Sequence, residues 1–172
     1  FSVVVSISLV LFLVGLLGLL LLNSKKVADH FKEQIAMTIY LKDSAKEIEI
    51  KQLQKTLSLE VATKKAIFIT KEEASAVHAN EIGEDFMEFL GYNPLQNSID
   101  VYLLADYVSP EQLDEITAEI LTKNFVEEVA YDKPLIALLN DNVKKISLWV
   151  LIISGLFTFI AVLLINSSIR LS

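Results

Sequence analysis

The chain has 172 residues, 53% of them hydrophobic and 22% charged, with a net charge of −7 and no cysteine. The lack of cysteine excludes disulfides, thiolate chemistry and Cys-ligated metals. The acidic balance excludes nucleic acid as a partner, because a phosphate backbone needs a basic face.

The hydrophobic residues are concentrated at the two ends. Phe1–Leu22 contains no charged residue, and neither does Ile146–Ile165. As helices these runs reach about 33 and 30 Å, which matches a hydrocarbon core of about 30 Å. Both are read as transmembrane helices in contact with membrane lipid, 1–22 and 146–165. The first run is longer than a signal-peptide core, and Asn23, Ser24, Lys25 and Lys26 follow it in place of a small-residue cleavage site, so it reads as an uncleaved anchor. The chain starts at Phe1 and stops at Ser172, a few residues past the second run, and is read as a fragment of a longer protein. Between 23 and 147 there are 14 Lys against 22 Asp and Glu, about −8. Charge alone does not orient so long a loop.

Residues 23–145 read as one domain. Gln34–Lys42 alternates, with Ile35, Met37, Ile39 and Leu41 on one side, and predicts a strand. Asp43 and Ser44 offer an N-cap, with Glu47 at capping-box distance from Ser44; Ile50, Leu53 and Leu57 follow at helical spacing. Lys65–Thr70 predicts a second strand. The unit then repeats. Asn97–Leu104 alternates Ile99, Val101 and Leu103. Ser109-Pro110-Glu111-Gln112 is a helix start, followed by an apolar stripe of Leu113, Ile116, Ile120 and Leu121. Phe125–Tyr131 closes the unit as a strand. Two β-α-β units in series predict an α+β, ferredoxin-like split βαβ domain.

An insertion lobe, about 71–96, separates the units. Ile82, Phe86, Phe89 and Leu90 share a helical face, Gly91 stops that helix, and Asn93-Pro94 marks a turn. Past the last strand, Pro134 can start a helix with Leu135, Leu138, Leu139 and Ile146 on one face. Neither Gly nor Pro interrupts it before Gly155, so the domain is expected to run into the second span as one helix.

No motif of catalysis stands in the chain. His30 and His78 lie outside any ligand-like cluster and read as surface residues. The acid pairs Glu72-Glu73, Glu84-Asp85 and Glu127-Glu128 read as solvated faces, since sequence neighbours point apart. No enzyme, cofactor or metal site is expected. The spans carry no ionisable residue, which argues against a substrate path through them. Gly15, Gly18, Ser154 and Gly155 allow close helix approach, and Trp149 sits where an interfacial anchor belongs.

The cluster Phe86, Met87, Phe89 and Leu90 has two readings. It closes the insertion against the sandwich, or it is an apolar docking face, rimmed by Glu84, Asp85 and Glu88, for a partner helix. These four residues are the candidate partner-binding site.

The segments QIAMTIYLKD after the first span, GYNPLQNSIDVYL in the middle and VAYDKPLIALLNDNVKKI before the second span resemble the FtsX family, membrane subunits of the FtsE–FtsX cell-division complex. Gln96 stands where a second Pro is common in that family. The resemblance implies an extracytoplasmic domain at 23–145, a cytoplasmic segment from 166–172 onward, and a multi-pass protein of the cytoplasmic (inner) membrane. It further implies a paired, homodimeric membrane subunit driven by an FtsE-like cytoplasmic ATPase in an ABC-type system that does mechanical work without transport. The outer domain would then recruit and activate a peptidoglycan hydrolase, directly or through a coiled-coil activator, and the insertion lobe around Phe86, Met87, Phe89 and Leu90 would meet that partner. The competing readings are a permease or efflux subunit of a related ABC exporter, and a membrane-anchored adaptor with no ATPase.

Overall fold

The computed structural model describes residues 2–82 and 90–170. In chain order the elements are α1 (Ser2–Lys32), β1 (Ala36–Leu41), α2 (Glu47–Leu59), β2 (Thr63–Ile69), α3 (Lys71–Ile82), β3 (Ser98–Leu103), α4 (Pro110–Ile120), β4 (Val126–Ala130) and α5 (Lys133–Arg170). They form two compact units, one of them Asp29–Ala137 and the other combining the remaining parts of α1 and α5.

The helical unit follows from composition. Within α1 and α5, Ile7–Lys32 and Lys133–Leu163 are long and apolar enough to cross a membrane. Leu9, Leu11, Phe12, Leu151 and Phe159 all point outward and exposed. Hydrocarbon suits such a surface, and a helix satisfies its backbone hydrogen bonds internally, as a lipid environment demands. Gly15, Gly18 and Gly155 stand in open space: a methyl group added at any of them meets no atom within 4 Å among the described residues. Among the described residues they mediate no close helix contact.

The other unit is a two-layer domain. Its four antiparallel strands lie in the order β2-β3-β1-β4, with Met37 opposite Val101 and Ile39 opposite Ile99. This is the ferredoxin-like split βαβ arrangement. Period-two alternation sends Met37, Ile39 and Leu41 of β1 and Ile99, Val101 and Leu103 of β3 to one face. There they pack with Ile50, Leu53 and Leu57 of α2 and Leu113 and Ile120 of α4. Each fully buried aliphatic side chain of this kind contributes ~1.5–3 kcal/mol.

Helix starts obey local capping chemistry. The Ser109 hydroxyl accepts the Gln112 N–H at 3.3 Å, and Pro110 opens α4, as expected. The cap expected at Ser44 is not used. Lys42–Ala45 forms a turn closed by the Ala45 N–H on the Lys42 carbonyl, and α2 begins at Glu47 instead. The Glu49 carboxylate accepts the Lys46 N–H at 3.0 Å, so a glutamate does reach back to a cap, two residues later than the sequence pattern suggested. A second correction concerns α5. Asp132 caps it, its carboxylate accepting the Leu135 N–H at 3.0 Å, and Pro134 falls just inside. The residue that enters the domain core is Ile136, 1% exposed, while Leu135 and Leu138 of the expected stripe are exposed. Only the first turn of α5 belongs to the domain, so a stripe extended over about three turns has no core to face.

Both joints between helix and domain are short. After α1 the N–H groups of Glu33, Gln34 and Ile35 bond back to the carbonyls of Asp29, Phe31 and Lys32 at 3.0–3.2 Å, and β1 follows at once. The Glu33 carboxylate accepts the Lys64 ammonium at 2.7 Å and the Ala105 N–H at 3.4 Å. Those two bonds, Lys64 first, hold its pKa below the ordinary carboxylate range.

Candidate partner-docking site

Among the described residues, the second face of the sheet carries no full layer of helices. Thr38 and Tyr40 of β1 alternate with the core residues and therefore line this face with Ser98 and Asp100 of β3. Thr38 sits opposite Asp100 in the ladder, and its hydroxyl donates to the carboxylate at 2.7 Å. Helix α3 passes beside them. Together they bound a cleft of about 500 Å³, with Thr38, Tyr40, Ser98 and Asp100 as floor, Ala74, Val77 and His78 as wall, and Ile69, Leu95 and Gln96 completing it. His78, read from sequence as a surface residue, is exposed and stands at the wall of this cleft.

The chain builds this cleft by fixing both ends of the insertion to one residue. The Asn97 side-chain oxygen accepts the Lys71 N–H at 2.9 Å. The Asn93 amide donates to the Lys71 carbonyl, also at 2.9 Å, while its oxygen accepts the Leu95 N–H at 3.0 Å and closes the turn before Pro94. Gly91, at φ +75°, occupies the left-handed region that favours glycine. The NPLQN segment is thereby a staple. Its outgoing partner is a reciprocal cap: the Thr70 hydroxyl accepts the Glu73 N–H at 3.2 Å, and the Glu73 carboxylate accepts the Thr70 N–H at 3.0 Å. Glu73 is therefore a helix cap as well as an exposed residue. The sequence signal for this cap is Thr-x-x-Glu at the start of a helix.

Of the four candidate docking residues, Leu90 is exposed, and Tyr92 beside it is more so. Phe86, Met87 and Phe89 lie outside the described residues. The cleft presents a mixed apolar and polar surface. Among the described residues no three His, Cys, Asp or Glu side chains gather as a metal site.

Fold and site define a class: a membrane protein whose two apolar helices flank a ferredoxin-like domain with an insertion rising beside the open face of its sheet. Residues 34–143 match the family model described as the FtsX extracellular domain. Over all 172 residues the chain is 51% identical to the cell division protein FtsX of Flavobacterium johnsoniae, covering 59% of that relative. It is 25% identical to cell division protein FtsX of Bacillus anthracis over 176 aligned positions, covering 58% of it. Among solved structures, extracellular domain 1 of FtsX from S. pneumoniae, crystallised with undecyl-maltoside, aligns with TM-score 0.46 and 17% identity over 56% of this chain and 92% of that one. The chain belongs to the FtsX family. It spans about three fifths of the length of the curated relatives it matches.

Proposed function

We propose that this chain is the membrane subunit of a cell-division complex that carries motion, not substrate, across the cytoplasmic membrane. In this reading 1–22 and 146–165 are the membrane-crossing segments, 166–172 opens a cytoplasmic segment, and 23–145 lies on the extracytoplasmic side. A cytoplasmic ATPase of the FtsE kind moves the spans. The domain passes that motion to a peptidoglycan hydrolase or its coiled-coil activator, held by the insertion lobe through Phe86, Met87, Phe89 and Leu90. The membrane subunit works as a pair, as the two-fold symmetry of ABC systems requires, and performs no catalysis itself.

The observation that carries the reading is the 51% identity to a cell division protein FtsX along the whole chain, both apolar helices included. Two features support its mechanical part. Helix α5 runs unbroken from Lys133 to Arg170, and the runs 1–22 and 146–165 hold no ionisable group that a transport path would use.

The test is a pull-down from intact membranes with the full-length protein. An ATPase of the FtsE class and a hydrolase or activator should be recovered together. Phe86→Ala with Phe89→Ala should lose the second while keeping the first and an unaltered fold by circular dichroism. Three glycines inserted at Asn142 should keep both partners and abolish hydrolase activation. Failure to recover the ATPase would sink the reading, and unchanged activation with the glycine insertion would sink its mechanical part.

A further inference from the structure

The two joints of the domain differ in a way the fold makes consequential. Helix α1 feeds β1, which has neighbours on both sides, whereas α5 leaves from β4, the last strand in the sheet, paired to β1 alone. The β1–β4 ladder is also irregular, with a register shift between Tyr40 and Leu41. A pull on α5 therefore falls on the strand easiest to peel away.

One side chain spans that weak point from outside the strand. Asp114 of α4 accepts the Tyr131 hydroxyl on one carboxylate oxygen and the Lys133 ammonium at 2.6 Å on the other. Tyr131 is the first residue after β4, and Lys133 is the first of α5. Between them Asp132 caps α5, and Ile136 plants the first turn in the core. Charge and burial agree with the geometry. Lys133 and then Tyr131 hold the Asp114 carboxyl below the usual carboxylate range, and burial together with Asp114 pushes the Tyr131 phenol up to about 12.

We infer that Asp114 is a positioning residue for transmission: it ties the end of β4 and the start of α5 to α4, so that movement of the outgoing helix reaches the body of the domain without peeling β4. This rests on the mechanical reading above. It is a statement about coupling. Asp114 and Lys133 are both about half exposed, and a pair so placed adds little to global stability.

The experiment uses the full-length protein with its ATPase in nanodiscs, and four variants: Asp114→Asn, Asp114→Lys, Lys133→Asp, and the swap Asp114→Lys with Lys133→Asp. Hydrogen exchange of the Val126–Ala130 amides reads the joint directly, whatever the protein does. Exchange should rise about tenfold in Asp114→Lys and less in Asp114→Asn, and return to near wild type in the swap. ATP-dependent hydrolase activation should follow the same order, with ATPase rate and partner capture unchanged. Exchange that stays at the wild-type rate in Asp114→Lys, or a swap no better than the single variant, would overturn the inference. A wild-type complex with no ATP-dependent activation would instead overturn the mechanical reading, and the exchange data would still decide whether Asp114 holds the joint.

Discussion

Ile136 is where the outgoing helix enters the domain core, and its truncation tests whether that turn is a structural part of the domain. The side chain is 1% exposed and lies in the same cluster as Met37, Val101 and Leu113. Ile136→Ala removes three carbons from this site. At ~0.8 kcal/mol per buried methylene the transfer loss is ~2.4 kcal/mol. Incomplete collapse around the vacated space brings the total to ~3–4 kcal/mol, within the ~2–5 kcal/mol usual for such truncations. Ile136→Val should cost ~1 kcal/mol. The control is Leu138→Ala two residues on, where the side chain is 60% exposed, with an expected change below ~0.5 kcal/mol. Hydrogen exchange of the β1 and β3 amides in detergent micelles reads the stability of the domain without interference from the apolar helices. A cost at Ile136 below ~1 kcal/mol, or equal costs at Ile136 and Leu138, would refute the reasoning.

Two further outcomes follow from side chains at the lobe base and the joints. Asn97→Ala removes the acceptor of the Lys71 N–H and should cost ~1–2 kcal/mol locally. Proteolytic cutting within 71–96 should quicken while the β1–β3 ladder keeps its exchange protection; equal loosening of both would contradict a local staple. The pH profile has two flanks. Asp114 and Glu33 have lowered pKa values in the folded chain, so their stabilisation is present above the ordinary carboxylate range and is lost as pH falls through their folded values. Tyr131, raised to about 12, contributes fully below the ordinary phenol value and loses that contribution as pH rises through about 12. Thermal melts of the chain in micelles should show a plateau that declines on both sides, with Asp114→Asn flattening each flank. A melting temperature that climbs as pH drops below the carboxylate range would contradict the assignment.

Much of this architecture is legible in the residues. Ile99, Val101 and Leu103 alternate because one face of β3 is buried, so the strand and its core face are visible without coordinates. Ser109-Pro110 marks a helix start because each residue answers a local need of the backbone. Both anchors are plain because a bilayer tolerates no charge along some twenty residues. The errors have a common source, namely side chains whose partner is remote in sequence or whose neighbours compete. Ser44 has the chemistry of a cap, but the Lys42–Ala45 turn takes the backbone first. Leu138 has the periodicity of a core residue, but the core ends two residues earlier, at Ile136. Asn97 and Asn93 stitch the insertion to Lys71 across more than twenty residues, and Asp114 reaches forward to Tyr131 and Lys133. Such pairings need the topology before they can be read. The candidate cluster Phe86, Met87, Phe89 and Leu90 rests on spacing and the family resemblance, and Leu90 is its one described member.

The direction of the strands gives the domain a geometric gain. Strands β1 and β2 run the same way, both antiparallel to β3. The insertion leaves from the far end of β2, and the chain comes in at the near end of β1. The two are separated by a strand of about 20 Å, at ~3.3 Å per residue. A rocking of about 10° at the base displaces the far end by roughly 3–4 Å over that length, more than a hydrogen bond can stretch. Small angles at one end of the sheet thus become displacements of several ångströms at the other, with an amplitude set by the length of the strands.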